Sequence, residues 1–145
     1  MKIEQMSLEH LTQVTNLSSQ LGYPNAENEI VKRFLRFSES QDYGLFVALS
    51  ESKNVIGWVQ VNEEPNTLLV GRRADISTLV VDEKFRGNGI GKALLNQAEK
   101  WAQLRVIAIL QVKSNIRRDG AHRFYQREGF IQTKTSYSFT KTLIN

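Results

Sequence analysis

Glycine occupies positions 87, 89 and 91 of the stretch FRGNGIGKALLNQAEKW (85–101), at the start of an otherwise sound amphipathic helix. Leu94, Leu95, Ala98, Trp101 and Ala102 recur at helical spacing, with Lys92, Asn96, Gln97 and Lys100 on the other side. Glycine costs roughly 0.5–1 kcal/mol relative to alanine in a helix. A tight turn would be served by one. Three at alternate positions suit a main chain that a ligand must approach closely. The N–H groups at a helix start lack partners and carry the positive end of the helix dipole. Arg86 and Lys92 add charge beside them. The stretch therefore predicts an anion cradle built from backbone.

The elements around it set the fold class. A strand is expected over 1–6. A helical stripe of Leu8, Leu11, Val14, Leu17 and Leu21 ends near Gly22-Tyr23-Pro24, and a second helix runs from about Asn25 to Glu39. GLFVALS (44–50) and VIGWVQV (55–61) read as strands joined by Ser52-Lys53-Asn54, and ADISTLVV (74–81) as a third. The glycine stretch and its helix follow, to about Leu104. VIAILQV (106–112) is nearly unbroken in apolar character, the pattern of a strand buried on both faces. A helix is expected from Arg117 to Glu128, closed by Gly129. FIQTKT and SYSFTKTLI read as two final strands. The order is β-αα-βββ-α-β-α-ββ, a mixed α/β domain over residues 1–145.

Composition narrows the function. With no cysteine among 145 residues, disulfides, thiolate metal sites and a cysteine nucleophile are excluded, and a cytoplasmic setting is the simplest reading. His10 and His122 are too few and too isolated to suggest a metal site. No apolar run approaches a membrane span, and the first residues lack a signal-peptide core. The net charge of +4 is uneven. Residues 1–64 hold five basic residues against nine carboxylates, a net −4, and residues 65–145 hold 14 against six, a net +8. The second half is suited to an anion. Nucleic acid is disfavoured, because no basic run exceeds two residues and no aromatic-and-basic repeat occurs.

Two phosphate-loop patterns fail on spacing. A Gly-x-Gly-x-x-Gly fingerprint would need glycine at 92, which is lysine; a P-loop would need glycine at 86, which is arginine. Arg-x-x-Gly-x-Gly is met by Arg86, Gly89 and Gly91. With that motif the sequence resembles the GNAT superfamily of N-acetyltransferases. The preceding strand, Leu79, Val80, Val81 and Asp82, looks like the family's central strand, and SNIRRDGAHRFYQREGF (114–130) looks like its second signature. Gly120 departs from the pattern, inside the last helix.

The resemblance implies a central mixed, mostly antiparallel sheet of about seven strands flanked by four helices. It implies acetyl-CoA as cosubstrate, no metal, and transfer of an acetyl group to an amine. By the same resemblance, main-chain groups of the Leu79, Val80 and Val81 strand would bind the pantetheine arm. The loop Arg86, Gly87, Asn88, Gly89, Ile90, Gly91 and Lys92 would hold the pyrophosphate, with Asn115 and Tyr125 near the arm and the thiol. Tyr125 is the candidate general acid. Asp75 is the candidate base, with Glu63 and Glu64 as weaker ones. Asp75, Ser77, Leu79 and Val81 alternate onto one side of their strand unless a bulge changes the phase. The expected acceptor is a small-molecule amine, with no nucleic acid and no membrane as partner. Homodimers are common among look-alikes, so a homodimer stays open. A noncatalytic acyl-CoA sensor and a peptide-amine acetyltransferase are the rival readings.

Overall fold

The computed structural model describes residues 1–22, 27–65, 71–113 and 119–144. Asn25, Asn115, Arg117 and the Tyr23-Pro24 turn, all named above, lie outside the described residues. The chain divides into two compact units, Met1–Lys113 and Ser114–Asn145.

The first unit holds β1 (Lys2–Gln5), α1 (Leu11–Gln20), α2 (Glu27–Ser38), β2 (Tyr43–Leu49), β3 (Val55–Glu63), β4 (Arg73–Val81), α3 (Ile90–Leu104) and β5 (Ile109–Val112). The sheet order is β1-β2-β3-β4-β5. Pairing is antiparallel up to β4, and β4 and β5 run parallel. That parallel step requires a crossover, and α3 supplies it.

Strand alternation divides the side chains between two faces. Leu45, Val47 and Leu49 of β2 join Val80 of β4 and Leu11, Val14, Leu17 and Phe34 of α1 and α2 in one buried cluster. The opposite face receives α3. A Cβ added to Gly57 would lie 3.1 Å from Leu94 and 3.3 Å from Ile90, and one on Gly44 2.6 Å from the Trp101 ring. Trp101 is buried, with the Arg105 guanidinium 4.2 Å from its ring centre. Trp58 is half-buried and donates from Nε1 to the Ser18 hydroxyl at 3.1 Å. Both tryptophans are packing residues.

The expected strand 106–112 is shorter than its apolar run. Its first residues finish α3 instead: Val106 N donates to Gln103 O and Ile107 N to Ala102 O. Val106 takes φ 59 there and is exposed. An apolar run shows that residues favour burial, but helix closure has first claim on the backbone next to it.

The second unit contains α4 (Asp119–Arg127), which Gly129 ends at φ 94. Among the described residues the expectation of about seven strands is corrected to five. FIQTKT and SYSFTKTLI form no strand, and Ile131, Tyr137, Phe139, Leu143 and Ile144 are exposed. Alternation qualifies a segment for one face of a sheet. It becomes a strand only when a ladder partner takes up its N–H and C=O groups.

Candidate active site

The glycine loop folds as its sequence predicts. Gly87 and Gly89 take φ 82 and φ 77, in the left-handed region that glycine tolerates, and Gly89 is the N-cap of α3. A Cβ added at either would meet nothing within 4 Å, so their conformation and not crowding demands glycine. Asn88 steadies the turn by donating from Nδ2 to Phe85 O at 3.0 Å. The first α3 donor to find an acceptor is Ala93, whose N–H reaches Gly89 O at 3.0 Å. From Gly87 to Lys92 no N–H finds a main-chain acceptor among the described residues. Arg86, Gly87, Asn88, Gly89 and Lys92 are exposed, whereas Ile90 is buried and anchors the helix start. Six consecutive donors beside two solvent-facing cations fit a diphosphate, the anionic part of CoA.

The strand leading into the cradle offers the second half of a binding slot. β4 pairs with β5 only from Arg73 to Ile76. Beyond that, its β5-side edge carries no ladder among the described residues. A β-bulge lies at this point: Val61 faces Ile76 while Gln60 faces Thr78, so Ser77 is the extra residue. Asp82 N donates to Ile56 O at 2.8 Å, which turns residue 82 toward β3. Main-chain groups alternate direction along a strand. Val80 and Thr78 therefore also face β3, and Leu79 and Val81 turn to the open edge. These are the two residues from which an extended amide chain could take strand-like hydrogen bonds. Val80 contributes its side chain to the core.

The bulge also changes the phase of the acidic candidates. Asp75 lies opposite Asn62 and shares its face with Thr78 and Val80, while Leu79 falls on the face of Ile76, toward α3. Asp75 is thus separated from Leu79 and Val81, with which a regular strand would have aligned it. Its carboxylate is held from the neighbouring strand: Gln111 Nε2 donates to Asp75 Oδ1 at 2.6 Å and to Glu64 Oε2 at 2.7 Å. Gln111 was missed in the sequence, although a single polar residue inside an apolar run was a usable signal. Glu63 is otherwise engaged. Arg72 binds it through two nitrogens at 2.7 and 2.8 Å, and this hydrogen bonding holds the Glu63 carboxyl below its ordinary value of 4.5. A carboxylate so committed is a poor proton acceptor.

Tyr125 lies on α4 in the second unit, half-buried, with ring centroids 5.3 Å from Phe124 and 5.7 Å from Phe130. Its ring sits among aromatics, and its main-chain carbonyl accepts from Phe130 N at 2.9 Å. Among the described residues, no group of three or more His, Cys, Asp or Glu side chains is placed to hold a metal ion. No helix there is long and apolar enough to cross a membrane.

A mixed sheet whose one parallel crossover begins in a main-chain anion cradle, beside an open strand edge, is the architecture of the CoA-dependent acetyltransferases. Residues 9–130 match the acetyltransferase (GNAT) family, and the chain belongs to that family. It is 35% identical over 89 residues to the aminoalkylphosphonate N-acetyltransferase of Salmonella typhimurium, covering 61% of this chain and 56% of that protein. It is 38% identical over 72 residues to the uncharacterized N-acetyltransferase YhdJ of Bacillus subtilis, 49% of each. The chain thus spans about half the length of these curated relatives. Among solved structures, the aminoglycoside 6'-N-acetyltransferase AAC(6')-Ig of Acinetobacter haemolyticus superposes with TM-score 0.83 over 99% of this chain and 100% of that one, at 17% identity. AAC(6')-Iy bound to a CoA-containing bisubstrate analogue superposes with TM-score 0.85 over 97% of each chain, also at 17% identity. At that identity the likeness is one of fold.

Proposed function

We propose that residues 1–145 act as one acetyl-CoA-dependent N-acetyltransferase domain, working in the cytoplasm on the primary amine of a small molecule by direct transfer in a ternary complex. The observation that carries this is the run of N–H groups from Gly87 to Lys92 that find no main-chain acceptor among the described residues, reached along a strand edge at Leu79 and Val81 that carries no ladder there. A relative named for aminoalkylphosphonate acetylation and a fold neighbour named for aminoglycoside acetylation support a small acceptor.

Acetyl-CoA supplies the thioester carbonyl that the amine nitrogen attacks. The cradle residues Arg86, Gly87, Asn88, Gly89, Ile90, Gly91 and Lys92 bind its diphosphate. Leu79 and Val81 pair with the arm and hold the thioester still, which lowers the entropic cost of attack. A free N–H on this edge stabilises the oxyanion as the new C–N bond forms. Asp75 takes the proton that the amine loses. Tyr125 donates a proton to the departing sulfur as the C–S bond breaks. A thiol with an ordinary value near 8.5 leaves readily, so this last contribution is modest. Asn115 completes the arm site.

Calorimetric titration with acetyl-CoA, with a thiol-release assay over an amine panel, tests the reading. Binding together with thiol release and an acetylated product is expected. Binding without release for any amine would convert the enzyme into a sensor of the cofactor. Tyr125→Phe is expected to lower turnover at saturating substrate, and an unchanged rate across pH would remove Tyr125 as the acid.

A further inference from the structure

Arg73 opens β4 on the same face as Asp75, and its position is anomalous. Its Nε is fully buried and has no hydrogen-bond partner. Its side chain makes no hydrogen bond or ion pair among the described residues. Yet carboxylates surround it in register. Glu64 N donates to Arg73 O at 2.8 Å, so Glu64 is its cross-strand neighbour. Asp75 is two residues along the strand, about 6–7 Å away at the Cα. A guanidinium placed so would ordinarily close a bidentate pair. Gln111 prevents it. Lying beside Asp75 in the parallel register, it spends both amide N–H groups on the two carboxylates, at 2.6 and 2.7 Å. The face thus carries a cation without an anion next to two carboxylates that hold a neutral partner. Leaving a buried guanidinium N–H unsatisfied costs on the order of 1–3 kcal/mol, so the unpartnered Nε calls for an explanation, and a bound anion is one.

We propose that Arg73 is an anion-recognition residue of the acceptor site, and that the acceptor is a short zwitterion whose ammonium meets Asp75 and Glu64 while its carboxylate or phosphonate meets Arg73. This rests on the N-acetyltransferase reading above and adds a second charge to its acceptor. Gln111 has a positioning role: it keeps the carboxylates turned toward the amine and away from the guanidinium, so both ends of the ligand find an unneutralised partner. Recognition of this kind is selective, because an amine lacking the anion leaves the buried Nε of Arg73 unpaired.

The test uses the whole chain with acetyl-CoA and three amines of similar size: 2-aminoethylphosphonate, β-alanine and n-propylamine. Either anionic amine is expected to exceed n-propylamine in kcat/KM by about tenfold or more. The two anionic arms tell phosphonate from carboxylate. Arg73→Met should collapse the preference toward one, mainly through KM, and Arg73→Lys should restore part of it. A wild-type enzyme that acetylates all three amines equally overturns the proposal and leaves the transferase reading intact. Calorimetric binding of the anionic amines to the CoA complex gives a readout apart from turnover. Binding that Arg73→Met abolishes, without thiol release, upholds the anion site and overturns the transferase reading. Absence of both preference and binding, or a preference that survives in a folded Arg73→Met protein, overturns the site.

Discussion

Gly89 shows how much one residue can hold. Its φ of 77 places the first turn of α3 so that successive N–H groups face outward. Alanine there would be strained by about 1 kcal/mol, although its Cβ meets nothing within 4 Å. Gly89→Ala should therefore lower stability modestly and weaken acetyl-CoA binding more than it weakens the fold. Paired thermal melts and titrations would show this, and unchanged affinity would place the diphosphate elsewhere. Glu63 makes a prediction about pH. Its folded value lies below its ordinary 4.5 because of Arg72. The stabilisation is fully present above about pH 4.5 and is lost as pH falls through the lowered folded value. Urea unfolding of the native chain and Arg72→Ala should thus differ near neutrality and converge in acid. A gap that does not narrow would mean that Arg72 stabilises by packing alone, or through its bond to the Arg105 carbonyl at 2.6 Å.

At the scale of elements, Gly57 of β3 sits with little slack between β4 and α3. A Cβ on Gly57 would lie 2.8 Å from Val80 O, a backbone atom that cannot step aside. Gly57→Ala should cost about 1–3 kcal/mol. Because α3 carries the cradle on its first turn, the variant should also lose acetyl-CoA affinity. A melting temperature equal to the native one would show the sheet and helix to be looser than these distances imply. The bulge at Ser77 explains why one reading of the sequence did not carry over. Alternation counted along residues 75 to 81 puts Asp75 with Leu79 and Val81, and one extra residue in the ladder reverses that. The composition of ADISTLVV does not reveal a bulge, since it is defined by the partner strand. The apolar run 106–112 misled for a related reason, because closure of α3 took its first residues.

For the molecule as a whole, the cradle and the open edge lie in one unit, Met1–Lys113, and a ligand that binds only the folded chain must stabilise it. Acetyl-CoA at about a hundredfold over its dissociation constant should add about 2.7 kcal/mol. For a chain of this size that raises the melting temperature by roughly 5–10 °C. Differential scanning calorimetry with and without the ligand checks it, and no shift at low ionic strength would remove the cradle from the mechanism. The sequence by itself determined the glycine loop, the amphipathic α3, the hairpin strands and the family, since each depends on dihedral preference or on a period shorter than a turn of chain. The tertiary structure alone decided which strands pair, the face that Asp75 occupies, the bridge from Gln111 to carboxylates 36 and 47 residues away, and the unpaired state of Arg73. Those are contacts between segments distant in the chain, and neighbouring residues carry no record of them until the sheet brings the strands together.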